Sequence, residues 1–196
     1  MGVGDSRMRI IAGDWRGRAL VAPEGLATRP TSDRVREAVF STLDSRFHAI
    51  CDASVLDLYA GSGALALEAL SRGAACATLV EHARPALEAL HRNTATLGAV
   101  NVRVHPGDAA RFVAPAGTDA FTLLFIDPPY KIAPEDVSDI LSRLRDAEQV
   151  ASGAVVVYEH HSGTLPVWPV GFTLVTSRRY GTTSVSYAIF TEEPRQ

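Results

Sequence analysis

Asp127-Pro128-Pro129-Tyr130 is the stretch of this 196-residue chain whose residue types could do the most chemistry. It directly follows Phe121-Thr122-Leu123-Leu124-Phe125-Ile126, an almost wholly apolar run read as a strand covered on both faces. Two consecutive prolines fix the backbone and remove two N–H donors, which leaves carbonyl oxygens facing outward. The Asp127 carboxylate and the Pro128 carbonyl can then both accept hydrogen bonds from one exocyclic NH₂. Such an amine on a base is a poor nucleophile because its lone pair is delocalised into the ring. Two acceptors orient it and ease the positive charge that builds when it attacks carbon. Tyr130 supplies a flat face on which the base stacks.

The second group is Val55-Leu56-Asp57-Leu58-Tyr59-Ala60-Gly61-Ser62-Gly63. Its first half reads as a short buried strand, and its glycines let the backbone turn tightly against a ligand. A helical pattern opens at Ala64 and stops at Arg72-Gly73. Strand, glycine loop and helix N-terminus together cradle a nucleotide-like cofactor. Glu81, twenty residues after Gly61, is placed to hold two ribose hydroxyls, as in dinucleotide sites. Ala66 loosely completes a dinucleotide fingerprint. Asp57, however, lies inside the strand four residues before Gly61, where a carboxylate would oppose a pyrophosphate and suit a cationic amino group. S-adenosylmethionine has that amino group and no phosphate. Asp108, followed by Ala109, stands after a third strand as an acceptor for an adenine amino group. The expected cofactor site is therefore Asp57, Tyr59, Gly61, Gly63, Glu81, Asp108 and Ala109.

Alternating strand and helix patterns must position these groups. Strands are expected at residues 77–81, 100–104, 121–126 and 154–158, with helices over 84–97 and 134–150 and a closing hairpin of 172–176 with 183–190. That order predicts an α/β, Rossmann-like fold: a seven-stranded, mostly parallel sheet with helices on both faces and a C-terminal antiparallel hairpin. Residues 8–22 read as a β-hairpin around Gly13 and Gly17, presenting Arg9, Trp15, Arg16 and Arg18 near its tip. A helix opening at Thr31-Ser32-Asp33 projects Arg34 and Arg36. The expected division is an N-terminal hairpin extension, residues 1–30, and a catalytic domain, residues 31–196.

Hydrophobic residues make up 46% of the chain and charged residues 21%, as in an ordinary globular protein. No apolar run approaches the roughly 20 residues that span a bilayer. Cys51 and Cys76 lack metal spacing and read as reduced thiols in a cytoplasm. His160-His161 finds no further ligands at matching spacing, so no metal is expected. The net charge of −3 is uneven: residues 1–36 hold seven arginines against four acids, and the remainder carries −6. A basic segment on an acidic body fits a polyanionic partner. Arg178 and Arg179, in the closing hairpin, are further candidates for RNA contact.

Together, Val55–Gly63, Glu81, Gly107-Asp108 and Asp127–Tyr130 resemble the ordered motifs of class I S-adenosylmethionine-dependent methyltransferases that act on amino groups of bases. Arg29-Pro30-Thr31-Ser32-Asp33-Arg34-Val35-Arg36-Glu37-Ala38-Val39-Phe40, after a hairpin beginning Arg9-Ile10-Ile11-Ala12-Gly13, narrows the resemblance. The chain is similar to the bacterial 16S ribosomal RNA guanine-N2 methyltransferase family known by the suffix D. The resemblance implies methyl transfer to N2 of a guanine, 966 in the family's reference RNA, within the small ribosomal subunit or its assembly intermediate. It implies that Asp127 and Pro128 hold the amine and Tyr130 stacks on the base; the protein is expected to be a cytoplasmic monomer. The alternatives are a DNA adenine-N6 methyltransferase, for which the chain has little room for a target-recognition region, an NAD-dependent oxidoreductase, and a non-catalytic RNA-binding or ribosome assembly factor.

Overall fold

The computed structural model describes residues 8–23, 33–115 and 117–192. Four helices, α1 (Asp33–Thr42), α2 (Ala64–Ser71), α3 (Arg84–Leu97) and α4 (Pro134–Asp146), flank one sheet. Its strands are β1 (Ser54–Leu58), β2 (Cys76–Glu81), β3 (Val102–Pro106), β4 (Phe121–Ile126), β5 (Val150–His161), β6 (Phe172–Tyr180) and β7 (Thr183–Phe190). They lie in the order β3-β2-β1-β4-β5-β7-β6. The first five are mutually parallel, and β7 and β6 run antiparallel at the end. The strand order reverses between β1 and β4, the switch point outside which open α/β sheets bind their ligands.

Side chains alternate across each strand, so the two faces build separate cores. On one face Val55, Leu79, Phe125, Val157 and Tyr187 pack against Val39, Phe40 and Leu43 of the α1 segment and Ala66 and Leu90 of α2 and α3. On the other, Leu56, Val80, Leu124 and Val156 pack against Val137, Ile140 and Leu144 of α4. The same alternation puts Asp57, Glu81 and Asp127 on the α1–α3 face, at the C-terminal ends of three strands. Among the described residues no helix is long and apolar enough to cross a membrane.

The expected spans of α3 and β4 agree with the structure. β5 is longer than expected. Its parallel partner β4 reaches only Tyr158, but the antiparallel ladder with β7 carries it on to the His161–Thr183 pair. α4 stops at Asp146 rather than 150. Glu148 there takes φ 56, and Gln149 turns its amide onto both backbone polar groups of Ala114. β6 extends to Tyr180, so Arg178 and Arg179 lie within an edge strand. The N-terminal hairpin is minimal: one Arg9–Ala19 bridge, with Ile10 N–H bonded to Arg18 O and Leu20 N–H to Met8 O. Thr31 and Ser32, the expected helix cap, lie outside the described residues, as do residues 1–7 and the Arg29-Pro30 part of the block 29–40.

Candidate active site

β1 ends in a loop whose backbone is bent at three places, with φ 63 at Tyr59, 57 at Gly61 and 80 at Gly63. Gly63 caps α2, and a Cβ there would stand 3.0 Å from Leu79 Cδ2 as well as in the left-handed region, so the position requires glycine. Glu81 holds this bend in place. Its Oε2 accepts the Gly61 N–H at 3.0 Å, and its Oε1 accepts the N–H groups of His82 and Ala83, both at 2.7 Å. A carboxylate offers about four acceptor positions, so one on Oε2 remains for a ligand hydroxyl. Glu81→Ala should leave three N–H groups short of an acceptor and cost about 2 kcal/mol, a fall of roughly 4–8 °C in melting temperature. An unchanged thermal transition would contradict this role.

Asp57 lies deeper than a direct contact residue. It is 1% exposed, and its Oδ2 accepts the Ala66 N–H of α2 at 3.2 Å. Burial, with Glu81 adding repulsion against the one Ala66 bond, pushes its carboxyl up to about 7. A cation placed in the loop above it would bring the charged form back. Asp108 is exposed and caps a short 3₁₀ turn, Ala109–Arg111, by accepting the Ala110 N–H at 2.9 Å. Ala109 itself is buried beneath that turn. Tyr59 is half-buried, and its hydroxyl is held up to about 12 by burial and then by the nearby Asp108.

β4 delivers the acceptor pair. Asp127 is half-buried, with its N–H 3.5 Å from Leu58 O at the end of β1. Pro128 is buried, and Pro129 O accepts the Ile132 N–H at 2.9 Å. Among the described residues no N–H is bonded to the Pro128 carbonyl. Tyr130 is 47% exposed, with its hydroxyl 3.4 Å from Thr183 Oγ1. The Tyr130 and His161 rings form a T-shaped pair, with centroids 5.6 Å apart and planes at 87°. Carboxylates, glycine loop, the Pro128 carbonyl and a half-open aromatic therefore lie at one end of the sheet. A groove of about 580 Å³, lined by Ser54, Asn101, Arg103 and Phe121 among others, lies at the opposite strand ends and contains none of these groups.

The family model described as Conserved hypothetical protein 95 matches residues 8–189. The ribosomal RNA small subunit methyltransferase D of Escherichia coli strain K12 is 40% identical over 191 residues, 97% of this chain and 92% of that one. The chain belongs to the methyltransferase D family. The solved structure of yhhF from Escherichia coli matches it with a TM-score of 0.82 at 39% identity, over 95% of this chain and 99% of that chain. An RNA methyltransferase from Salinibacter ruber, solved with S-adenosyl-L-homocysteine, shares the fold at 18% identity and a TM-score of 0.62, over 85% of this chain and 97% of that chain.

In this member of the methyltransferase D family the expected RNA-contact residues divide. Arg9, Arg16, Arg34, Arg178 and Arg179 are exposed. Arg18 is exposed but spends two N–H groups on Thr96 O and Leu97 O at the end of α3. Arg36 corrects the expectation of a projecting side chain: it is 1% exposed and bonds Arg9 O and Asp33. Trp15 likewise does not stand free at a tip, because its ring packs on the small cluster of Ile10, Leu20, Leu67 and Leu97. His160 is buried, bonds Ser186 Oγ at 2.9 Å and has its pKa lowered by desolvation, as a packing residue would. Sequence reasoning missed Glu68 and Asn93, both fully buried polar residues. The Glu68–Arg72 spacing of four was the only signal for either.

Proposed function

We propose that this protein transfers a methyl group from S-adenosylmethionine to the exocyclic N2 amine of a guanine in small-subunit ribosomal RNA. The observation that carries the reading is the acceptor pair, Asp127 and the Pro128 carbonyl, set beside the loop of Gly61 and Gly63. The site residues fit that cofactor. The Asp57 carboxylate beneath the loop suits a cation rather than a phosphate, and a bound cation would offset the burial that raises its carboxyl; Glu81 keeps an acceptor position for a ribose hydroxyl, and Asp108 is exposed beyond β3 to meet the adenine. Bound there, the cofactor supplies an electrophilic methyl on a sulfonium.

The rest belongs to the chain. Tyr130 stacks on a guanine turned out of its helix. Asp127 and Pro128 O accept the two N–H bonds of its amine and aim the nitrogen lone pair. Positioning supplies most of the rate, and Asp127 stabilises the charge on nitrogen until the proton leaves. Arg9, Arg16, Arg34, Arg178 and Arg179 are the groups set to meet phosphate, with RNA bound by a cytoplasmic monomer.

These candidate arginines, among the described residues, sit on a body of net negative charge, which holds naked RNA poorly at physiological salt. The substrate is therefore the assembled subunit or an assembly intermediate. Small subunits lacking the methyl should be modified at least about tenfold faster than a free hairpin carrying the same guanine. Equal rates would overturn the particle as substrate.

A further inference from the structure

Two buried polar groups outside the site join the N-terminal hairpin to the cofactor loop. Glu68, on α2 and 0% exposed, accepts the Ile11 N–H at 2.7 Å and the Ala12 N–H at 3.0 Å. It also accepts Arg72 Nε at 2.8 Å and lies 4.0 Å from Arg36 Nε. Asn93, on α3 and 1% exposed, accepts the Val21 N–H at 2.7 Å. It also donates to Val21 O at 3.0 Å and to Ser62 O at 2.9 Å, inside the glycine loop itself.

The contact at the hairpin's tip is equally close. Ser71 Oγ donates to Ala12 O and accepts the Trp15 N–H, and Ser71 O accepts the Asp14 N–H. A Cβ on Gly13, which has φ +83, would fall 1.7 Å from Ser71 O. The apolar part of this interface is Ile10 and Leu20, with Met8 and Trp15 beside them, on Leu67 and Leu97. A buried ionic cluster is a costly way to gain stability, because its desolvation offsets its attraction. A polar network in which Glu68 accepts three N–H groups, with Arg36 Nε lacking a hydrogen-bond partner among the described residues, instead favours one geometry.

We propose that Glu68 is a positioning residue for RNA: it seats the hairpin, and with it Arg9 and Arg16, on the helix that begins at the cofactor loop. Asn93 completes the link at the loop. The hairpin is thus a preset arm of the active site. The inference rests on the RNA-methylating function proposed above.

The test is steady-state methyl transfer to small ribosomal subunits lacking the modification, at a temperature where each variant is folded by circular dichroism. Glu68→Gln removes one acceptor and sets an amide NH₂ against a hairpin N–H. Its KM for subunits should rise about tenfold, with kcat and the cofactor Kd each within about twofold. Gly13→Ala lifts the arm off Ser71 without touching any charge and should give the same split, so it decides the matter if Glu68→Gln does not fold. A lowered melting temperature with KM unchanged in both variants would show a structural role only and overturn the proposal. A wild-type protein that methylates no subunit would instead overturn the functional reading, and this inference with it.

Discussion

Asp127→Ala should lower methyl transfer by about a hundredfold to a thousandfold while leaving the cofactor dissociation constant within about twofold. The carboxylate stands at the end of β4, half-buried, on the sheet face shared with Asp57 and Glu81. In the proposed mechanism it accepts from an amine that gains positive charge only as the methyl bond forms, which would make its contribution larger in the transition state than in the bound substrate. The Pro128 carbonyl persists in the variant and continues to orient one N–H, which is why some activity should survive. Asp127→Asn should lose nearly as much, because the amide oxygen still accepts but carries no charge. Single-turnover rates beside cofactor titrations separate the two effects. Full turnover in Asp127→Ala would remove the residue from the mechanism.

Cofactor binding should tighten roughly tenfold between pH 6 and pH 7.5 and change little above that. The sign follows from the Asp57 carboxyl, raised by burial from 3.8 to about 7. Below that value the free protein holds it neutral, and a cationic amino group must expel a proton before gaining the charge beneath the loop. The same shift makes the ligand-free fold bind a proton that the unfolded chain releases. Stability from this group is therefore present at low pH and falls as pH rises from about 4 through about 7. Asp57→Asn should abolish the pH dependence and weaken binding about tenfold or more at pH 7.5. Titration of S-adenosylhomocysteine by calorimetry over that range reads both. A flat profile in the wild-type protein would show that Asp57 does not feel the bound amino group.

Local patterns made the sheet's centre and the loop legible. β4 is apolar but for Thr122, α3 is bounded by Pro85 and by Gly98 at φ 67, and the glycines of the loop take positive φ. What escaped was set by partners far along the chain. Arg36 reads as an exposed helical arginine until Glu68, Asp33 and the backbone of Arg9 are brought around it. β5 outruns its parallel partner because β7, more than twenty residues later, continues to pair with it. Trp15 resembles a stacking platform in the sequence, and only the approach of α2 and α3 turns it into a lid on a small core. Asp57 was visible as an anomalous strand carboxylate, but its depth beneath the loop depends on how α2 leaves Gly63.

The most direct test of the central claim is transfer of labelled methyl from S-adenosylmethionine to small ribosomal subunits lacking this modification, with the labelled nucleoside identified after digestion. The account predicts N2-methylguanosine, present with the wild-type protein and absent with Asp127→Ala. Label in N6-methyladenosine, or no label from a protein that still binds the cofactor, would contradict it.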